Sequence, residues 1–272
     1  MAERVTRFAP SPTGQLHLGH AYAALVAAER GDRLLLRIED IDTARCTKAF
    51  EAGIDQDLEW LGVAWETPFL RQSNRAAAYT KALVHLCDLG LTYNCTCTRG
   101  DIRQALSAPQ EGAANGPDGP IYPGTCRGKA GAGAVRLEMG KAMAMLGTVE
   151  FNESGQNTGI HSFDAAHMQR FVGDIVLARR DIGTSYHLSV VVDDAHQGIT
   201  EVTRGEDLFD ATKIHVVLQR LLGLPTPIYH HHRLIRDETG KRLAKRDDAR
   251  ALAKYRSEGA SPQDIRAMVG LA

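Results

Sequence analysis

The sequence predicts an α/β fold built on a parallel sheet. Three observations carry that prediction. The N-terminal stretch reads strand, loop, helix, strand within about 35 residues, which is one βαβ unit. Amphipathic helices follow it, their apolar residues recurring at helical spacing. The 272 residues, 43% hydrophobic and 24% charged, suffice to bury a core without disulfides.

The elements follow in order. Residues 1–9 read as a short strand, and "APSPTG" as a loop punctuated by proline and glycine. "HLGHAYAALVAAER", His17 to Arg30, is rich in helix formers and closed by Gly31. "RLLLRIE", Arg33 to Glu39, is a compact apolar run suited to a buried strand. Phe50, Ile54, Leu58 and Leu61 mark one helix face. Tyr79, Leu83 and Leu86 mark another, with Ser73 as its expected cap and Gly90 as its stop. Cys46 and Cys87 fall within these predicted helices as core or neutral positions.

Residues 95–134 change texture. "SAPQEGAANGPDGPIYPGTCRGKAGAGA" is too rich in glycine, proline and alanine for a long regular element and reads as an insertion, flexible in part. "SYHLSVVVDD" is strand-like, "GITEVTRGEDL" a strand running into a loop, and "DATKIHVVLQRLLGLP" an amphipathic helix. The triplet His230-His231-His232 is strand-like too, so neighbours point to opposite faces and a structural role is expected. After "GKRLAKRDD" a short helix to Gly259 is expected. A second starts at "SPQD", with serine as cap and proline at its first position. The expected divisions are 1–94 and 135–236 for the two halves of one α/β domain, 95–134 for the insertion and 237–272 for a basic loop with a helical tail.

Charge and cysteine usage exclude some functions. A net charge of −1 excludes a polyanion-binding surface over the whole molecule and leaves room only for a local basic patch. No apolar run approaches the roughly 18 residues of a membrane span, and the N-terminus lacks an apolar signal core. Five cysteines, an odd number, fit a reducing, cytoplasmic setting better than a disulfide framework.

Two motifs carry chemistry. His17-Leu18-Gly19-His20 sits at a helix N-terminus, where unpaired backbone N–H groups and the helix dipole favour an anion. Two imidazoles on one side of that turn, with a glycine between them, suit the charge that builds on a phosphoryl group under attack. Two half-buried histidines capping a helix would read the same way. In "KRLAKRDD", Lys241, Arg242, Lys245 and Arg246 gather cations suited to a leaving pyrophosphate, though a solvated face has the same composition.

Together these stretches resemble the class I aminoacyl-tRNA synthetases: "HLGH" is similar to their "HIGH" signature and "RLAKR" to their "KMSKS" signature. More specifically, "RFAPSPTGQLHLGHA", "RIEDID" and "VVVDDAHQGITEVTRGEDL" resemble glutamyl-tRNA synthetases, in order and over nearly the whole chain. The resemblance implies a Rossmann-like α/β catalytic domain. It implies that His17 and His20 stabilise the transition state as an amino-acid carboxylate attacks ATP. Gly19, Arg242 and Lys245 would complete the ATP site, with Lys245 on the departing pyrophosphate and magnesium accompanying ATP. Ala244 stands where the family has serine, so one hydroxyl donor is missing from that loop.

For the amino acid, the family pattern points to Arg7, Ala9, Ser11, Glu39, Tyr186 and Arg204. Glutamate brings one ammonium, suited to Glu39, and a side-chain carboxylate, suited to Arg7, Arg204 and the Tyr186 hydroxyl. A neutral glutamine amide would leave a buried arginine short of its counter-charge.

Cys95, Cys97, Tyr122 and Cys126 form C-x-C-x24-Y-x3-C, which could hold a tetrahedral zinc or consist of free thiols. Some short relatives of glutamyl-tRNA synthetases carry a Cys/Cys/Tyr/Cys zinc site in this insertion; the stretch between Cys97 and Tyr122 is expanded here.

Only 24 residues follow "GKRLAKRDD", too few for an anticodon-reading region. That shortened form resembles the glutamyl-queuosine tRNA(Asp) synthetases. They activate glutamate and transfer it to queuosine in the anticodon loop of tRNA(Asp). The expected partners are therefore L-glutamate, ATP and the queuosine-bearing anticodon stem-loop, without a membrane and with the chain as a monomer. Arg99, Arg103 and Arg127 are candidates to hold the modified base. The alternatives are a truncated synthetase charging a tRNA 3′ end, a small-molecule nucleotidyltransferase of the same superfamily, and a catalytically silent RNA-binding paralogue.

Overall fold

The computed structural model describes residues 3–106, 115–236 and 250–271. The first βαβ unit comprises β1 (Val5–Phe8), α1 (Leu18–Arg30) and β2 (Arg33–Ile38), with β1 and β2 parallel and in register from Val5–Arg33 to Phe8–Leu36. Gly31 closes α1 for a steric reason: a Cβ there would lie 2.3 Å from the Thr6 hydroxyl on β1. Helix α2 (Lys48–Trp60) buries Ile54 and Leu58 and leads to β3 (Glu66–Arg71), parallel to β2. A 3-10 turn at Gln72–Arg75 precedes α3 (Ala76–Asp88).

Ser73 therefore does not cap α3. Its hydroxyl donates to Asp40 Oδ2 at 2.7 Å and its backbone N–H to Oδ1 at 2.8 Å, because the 3-10 turn takes the place of the expected helix start. Cys46 lies in the loop before α2 rather than in a helix, since Thr47 is the residue whose side chain caps α2.

Strand β4 (Thr92–Cys95) is followed by α4 (Arg99–Leu106) and the small hairpin β5 (Asn115–Gly116) and β6 (Gly119–Pro120). Strand β7 (Ala134–Leu137) pairs antiparallel with β4 and, on its other side, with β10 (Val176–Ala178). Between β7 and β10 run α5 (Met139–Leu146), β8 (Val149–Glu153), β9 (Gly159–Phe163) and α6 (Ala165–Phe171).

The second parallel unit has α7 (Tyr186–His196), β11 (Glu201–Gly205), α8 (Thr212–Leu221) and β12 (Ile228–His232). Strands β11 and β12 pair in parallel, β12 pairs with β8, and β8 pairs antiparallel with β9. Thr200 joins the two parallel units, its N–H donating to Val5 O at 3.0 Å and its hydroxyl accepting from Val5 N at 2.8 Å. The result is a Rossmann-like arrangement of parallel strands and crossover helices.

The strand expected at "SYHLSVVVDD" is helix α7. Ser185 caps it, accepting from Leu188 N, and the helix is buried on most of its surface, with Leu188, Ser189, Val190, Val191, Asp193 and Asp194 all enclosed. A helix covered all round loses the polar face that would have announced its period.

The tail returns to the beginning of the chain. Helices α9 (Leu252–Ser257) and α10 (Pro262–Met268) follow, the latter with Ser261 as cap and proline at its start, as the sequence predicts. Leu252, Ile265 and Val269 are fully buried with Leu16, Leu25 and Leu58 in one apolar cluster. Leu252 N donates to Leu16 O at 2.8 Å, and Ala251 bridges His17, so the tail is stitched to the loop that opens α1. None of the five cysteines forms a disulfide. Among the described residues no helix is long and apolar enough to cross a membrane.

Candidate functional site

His17 is the N-cap of α1, and the two signature histidines bond to the backbone of the same turn. Gly19 N donates to His17 Nδ1 at 3.1 Å, and His17 N donates to His20 Nδ1 at 3.2 Å. Both Nδ1 atoms are acceptors, so in the neutral rings both protons sit on Nε2. The rings lie 3.9 Å apart at a 42° tilt. The turn thus fixes two parallel-acting N–H donors beside a helix N-terminus, an arrangement suited to anionic oxygen. Gly19 has a second reason beyond room for a ligand: a Cβ there would press on the His17 ring at 3.0 Å.

A cavity of about 1070 Å³ lies between the first half of the chain, the segment from Cys97 to Arg136 and the start of α7. Ser11, Glu39, Tyr186 and His187 line it. Arg7, Ala9 and Arg204 do not form its wall. Arg7, 7% exposed, donates through Nε to Asp194 Oδ1 at 3.0 Å and through NH1 to Thr203 O at 3.0 Å. Arg37, fully buried, donates to the same Asp194 Oδ1 at 2.7 Å and to Glu39 Oε1 at 3.2 Å. Asp194 therefore answers two guanidinium groups. Burial alone would raise its carboxyl, but Arg7 and Arg37 outweigh that and hold it below the usual value. Glu39 goes the other way, raised chiefly by burial against the lowering pull of Arg37 and Arg7.

Arg204 differs from Arg7 and Arg37 in its partners. Its Nε donates to His231 Nε2 at 3.1 Å, NH1 to His215 Nδ1 at 2.9 Å and NH2 to the Thr212 hydroxyl at 2.6 Å. At 7% exposure it is buried among groups that carry no formal charge unless protonated, and burial pushes both His215 and His231 below the ordinary imidazole value. The nearest carboxylate in this network is Glu153, which stands behind His231 at 2.5 Å from its Nδ1. Among the described residues these three bonds use three of the five N–H donors of the guanidinium.

Cys95, Cys97 and Cys126 bring their sulfurs within 4.8 Å of one another. The Tyr122 hydroxyl joins them, 3.3 Å from Cys95 Sγ and 3.5 Å from Cys97 Sγ, and accepts from Cys126 N at 3.0 Å. Cys97 and Cys126 sulfurs are 3.5 Å apart. Sulfurs bound at about 2.3 Å to one tetrahedral ion would stand roughly 3.8 Å apart, so the cluster could hold a metal with small adjustments. Hydrogen bonding from Tyr122 draws the Cys126 thiol below its usual value, which favours the thiolate a metal needs. Arg136 lies over the Tyr122 ring, 3.9 Å from its centre.

Relatives define what this architecture is. Residues 3–272 match the family described as tRNA synthetases class I (E and Q), catalytic domain. The chain belongs to that family. It is 60% identical to a "Glutamyl-Q tRNA(Asp) synthetase" of Rhodobacter capsulatus, over 98% of this chain and 100% of that one. A Nocardia farcinica protein of the same name is 41% identical over 97% of this chain and 82% of its own. Among solved structures, a glutamate tRNA ligase from Elizabethkingia meningosepticum in complex with its amino acid superposes with a TM-score of 0.78 at 26% identity. This chain is covered to 99% in that superposition but spans only 61% of the ligase. A methionyl-tRNA synthetase of Mycobacterium tuberculosis shares the fold at 12% identity, with a TM-score of 0.62.

Within the family site, the structure gathers Ser11, Glu39 and Tyr186 on one cavity and sets Arg7 and Arg204 in buried networks next to it. Lys245 and Arg242, with Lys241, Ala244 and Arg246, lie outside the described residues. Arg127, its side chain 45% exposed, forms a two-point pair with Asp174 at 2.6 and 2.8 Å. Arg99 and Arg103 line the cavity from α4, exposed and without an ion pair among the described residues. The sequence reading missed Asp194, Arg37, His187 and His215. "VVVDD" and "RIED" were visible as motifs, but nothing local says that Asp194 crosses to β1 and β2, because 187 residues separate it from Arg7.

Proposed function

We propose that this chain activates L-glutamate with ATP and transfers the glutamyl group to queuosine in the anticodon loop of tRNA(Asp). The observation that carries the reading is Arg204, a buried guanidinium held by His231, His215 and Thr212, close to a cavity whose wall includes Glu39. A dry cation without a carboxylate partner among the described residues favours a ligand that brings one. Glu39 meets the ligand's ammonium, and Ser11 and Tyr186 supply hydroxyls. Arg7 acts through its fixed charge and through Asp194 rather than by facing the ligand. Ala9 supplies backbone at the loop that enters the signature.

In the first step an α-carboxylate oxygen attacks the α-phosphorus of ATP. A new P–O bond forms, the bond to the bridging oxygen breaks and pyrophosphate leaves. The Nε2–H groups of His17 and His20 meet the charge on the phosphoryl oxygens, Gly19 lets the nucleotide approach α1, and Arg242 and Lys245 hold the pyrophosphate. Magnesium accompanies the ATP. In the second step a cyclopentene hydroxyl of queuosine attacks the acyl carbon and AMP departs. Cys95, Cys97, Tyr122 and Cys126 would hold a structural zinc that ties β4 to the following loop. Arg99 and Arg103 on α4 would meet the RNA backbone at the cavity mouth. On this reading 95–134 is an insertion between the catalytic halves 1–94 and 135–236, 237–272 is the pyrophosphate loop and tail, and the chain works as a cytoplasmic monomer.

The experiment is transfer of labelled glutamate to tRNA(Asp) with and without queuosine. Label on the queuosine-containing tRNA alone, surviving removal of the 3′ adenosine, supports the proposal. Label lost with that adenosine would assign the chain to 3′-end charging, the reaction of a shortened glutamate ligase. No label, together with no glutamate-dependent ATP–pyrophosphate exchange, would assign it to a silent paralogue.

A further inference from the structure

Five side chains behind the cavity are linked end to end, and the direction of every bond follows from one of them. Arginine can only donate. His215 Nδ1 and His231 Nε2 must therefore accept from Arg204, which places the proton of neutral His215 on Nε2 and that of His231 on Nδ1. On the far side, His231 Nδ1–H reaches Glu153 Oε2 at 2.5 Å, and Glu153 Oε1 is occupied by the N–H groups of Gly155 and His231. On the near side, His215 Nε2–H meets His187 Nδ1 at 3.0 Å. His187 must accept there, so its own proton sits on Nε2.

The residue that carries that last atom lines the cavity. His187 is only 5% exposed, yet it is a wall residue, next in sequence to Tyr186. Its Nε2 faces a carboxylate already: Asp118 Oδ1, on the half-exposed turn of the β5–β6 hairpin, stands 3.5 Å away. Arg204 itself does not line the wall. His215 and His187 carry its effect there as an oriented hydrogen-bond chain.

We propose that His215 is a positioning residue that holds Arg204 and fixes the tautomer of His187, and that His187 presents Nε2–H as a donor to the side-chain carboxylate of the amino-acid substrate. The inference rests on the glutamate reading and deepens it. A chain that starts on a permanent cation and only donates outward selects an acceptor at its end. A carboxylate accepts with either oxygen. A glutamine amide accepts with one atom only and presents donors with the other. The chain thus adds to the discrimination that the Arg204 charge makes alone.

Two measurements test it. In the wild-type protein with ¹⁵N-labelled histidine, long-range ¹H–¹⁵N spectra should show His215 and His187 as Nε2–H tautomers and His231 as Nδ1–H. Saturating L-glutamate should move the His187 Nε2–H resonance. A different tautomer at His215 or His187 overturns the relay, and so does a His187 resonance that responds to Asp118→Asn but not to glutamate.

The second measurement is ATP–pyrophosphate exchange by His215→Met and His215→Gln. An amide has an acceptor and a donor spaced much like the imidazole nitrogens, so glutamine can rebuild the chain where methionine cannot. Met should raise KM for glutamate by about 10- to 100-fold, the worth of one hydrogen bond to a charged group, with kcat and KM for ATP little changed and discrimination against glutamine reduced. Gln should restore most of the KM. Equal losses in Met and Gln, or a shift in KM for ATP as large as that for glutamate, would reduce His215 to a packing role. Absence of glutamate-dependent exchange in the wild type would refute the glutamate reading itself, while the tautomer measurement would still decide whether the chain exists.

Discussion

Asp194→Asn tests how the proposed amino-acid site is held. The carboxylate is 5% exposed and accepts from Arg7 at 3.0 Å and from the fully buried Arg37 at 2.7 Å. Asparagine keeps the size and one acceptor oxygen but removes the negative charge, leaving two buried guanidinium groups with Glu39 as their nearest carboxylate. Breaking a buried pair by neutralising one partner costs about 3–5 kcal/mol. At roughly 2–4 °C per kcal/mol for a chain of this size, the melting temperature should fall by about 6–20 °C.

The pH dependence has a definite sign. The folded carboxyl is held below its unfolded value, so its contribution is fully present above about pH 4. It is lost as pH falls through the lower folded value. The wild type should therefore lose stability on acidification in that range, and the gap between wild type and Asp194→Asn should narrow. Urea unfolding at pH 7 and at a series of lower pH values measures both. A variant within 1 kcal/mol of wild type at pH 7, by the roughly linear dependence on urea, would refute the claim that one carboxylate balances the two arginines.

Other outcomes follow from the same geometry. Removing either signature imidazole, as His17→Ala or His20→Ala, should lower kcat for ATP–pyrophosphate exchange by about 10²–10³, the usual loss for one transition-state donor. His17→Ala should also cost about 1 kcal/mol of stability as a lost helix cap, measured by thermal melting. Cys97→Ser should lower the zinc content measured by plasma mass spectrometry, and a strong chelator should lower the melting temperature of the wild type more than that of the variant. Arg99→Ala with Arg103→Ala should weaken glutamyl transfer to tRNA and flatten the log–log salt slope of binding by about 1.4–1.8. Exchange without tRNA should be unaffected by that double change.

How much was legible in the sequence depended on the range of the interaction. Helix α1, its histidine cap and Gly31 are local, and β1, β2, β11 and the Ser261 cap of α10 follow from runs a few residues long. Cys95, Cys97, Tyr122 and Cys126 were readable as a group, and the structure brings their ligand atoms together. The wrong period at "SYHLSVVVDD" had a tertiary cause. Packing of α7 against α3 and α8 buries the valines that locally favour a strand.

By itself, then, the sequence determined the family, the βαβ start, the helix-terminal histidines and the four-residue cluster, because each is written in spacings that a single turn or loop can express. Only the tertiary structure decided that Asp174 pairs with Arg127, that Asp194 serves Arg7 and Arg37 together, and that Arg204 is held by His215 and His231. Those pairings join residues up to 187 positions apart. A buried charge is answered by whatever the fold carries to it, and the sequence records only that a charge is present.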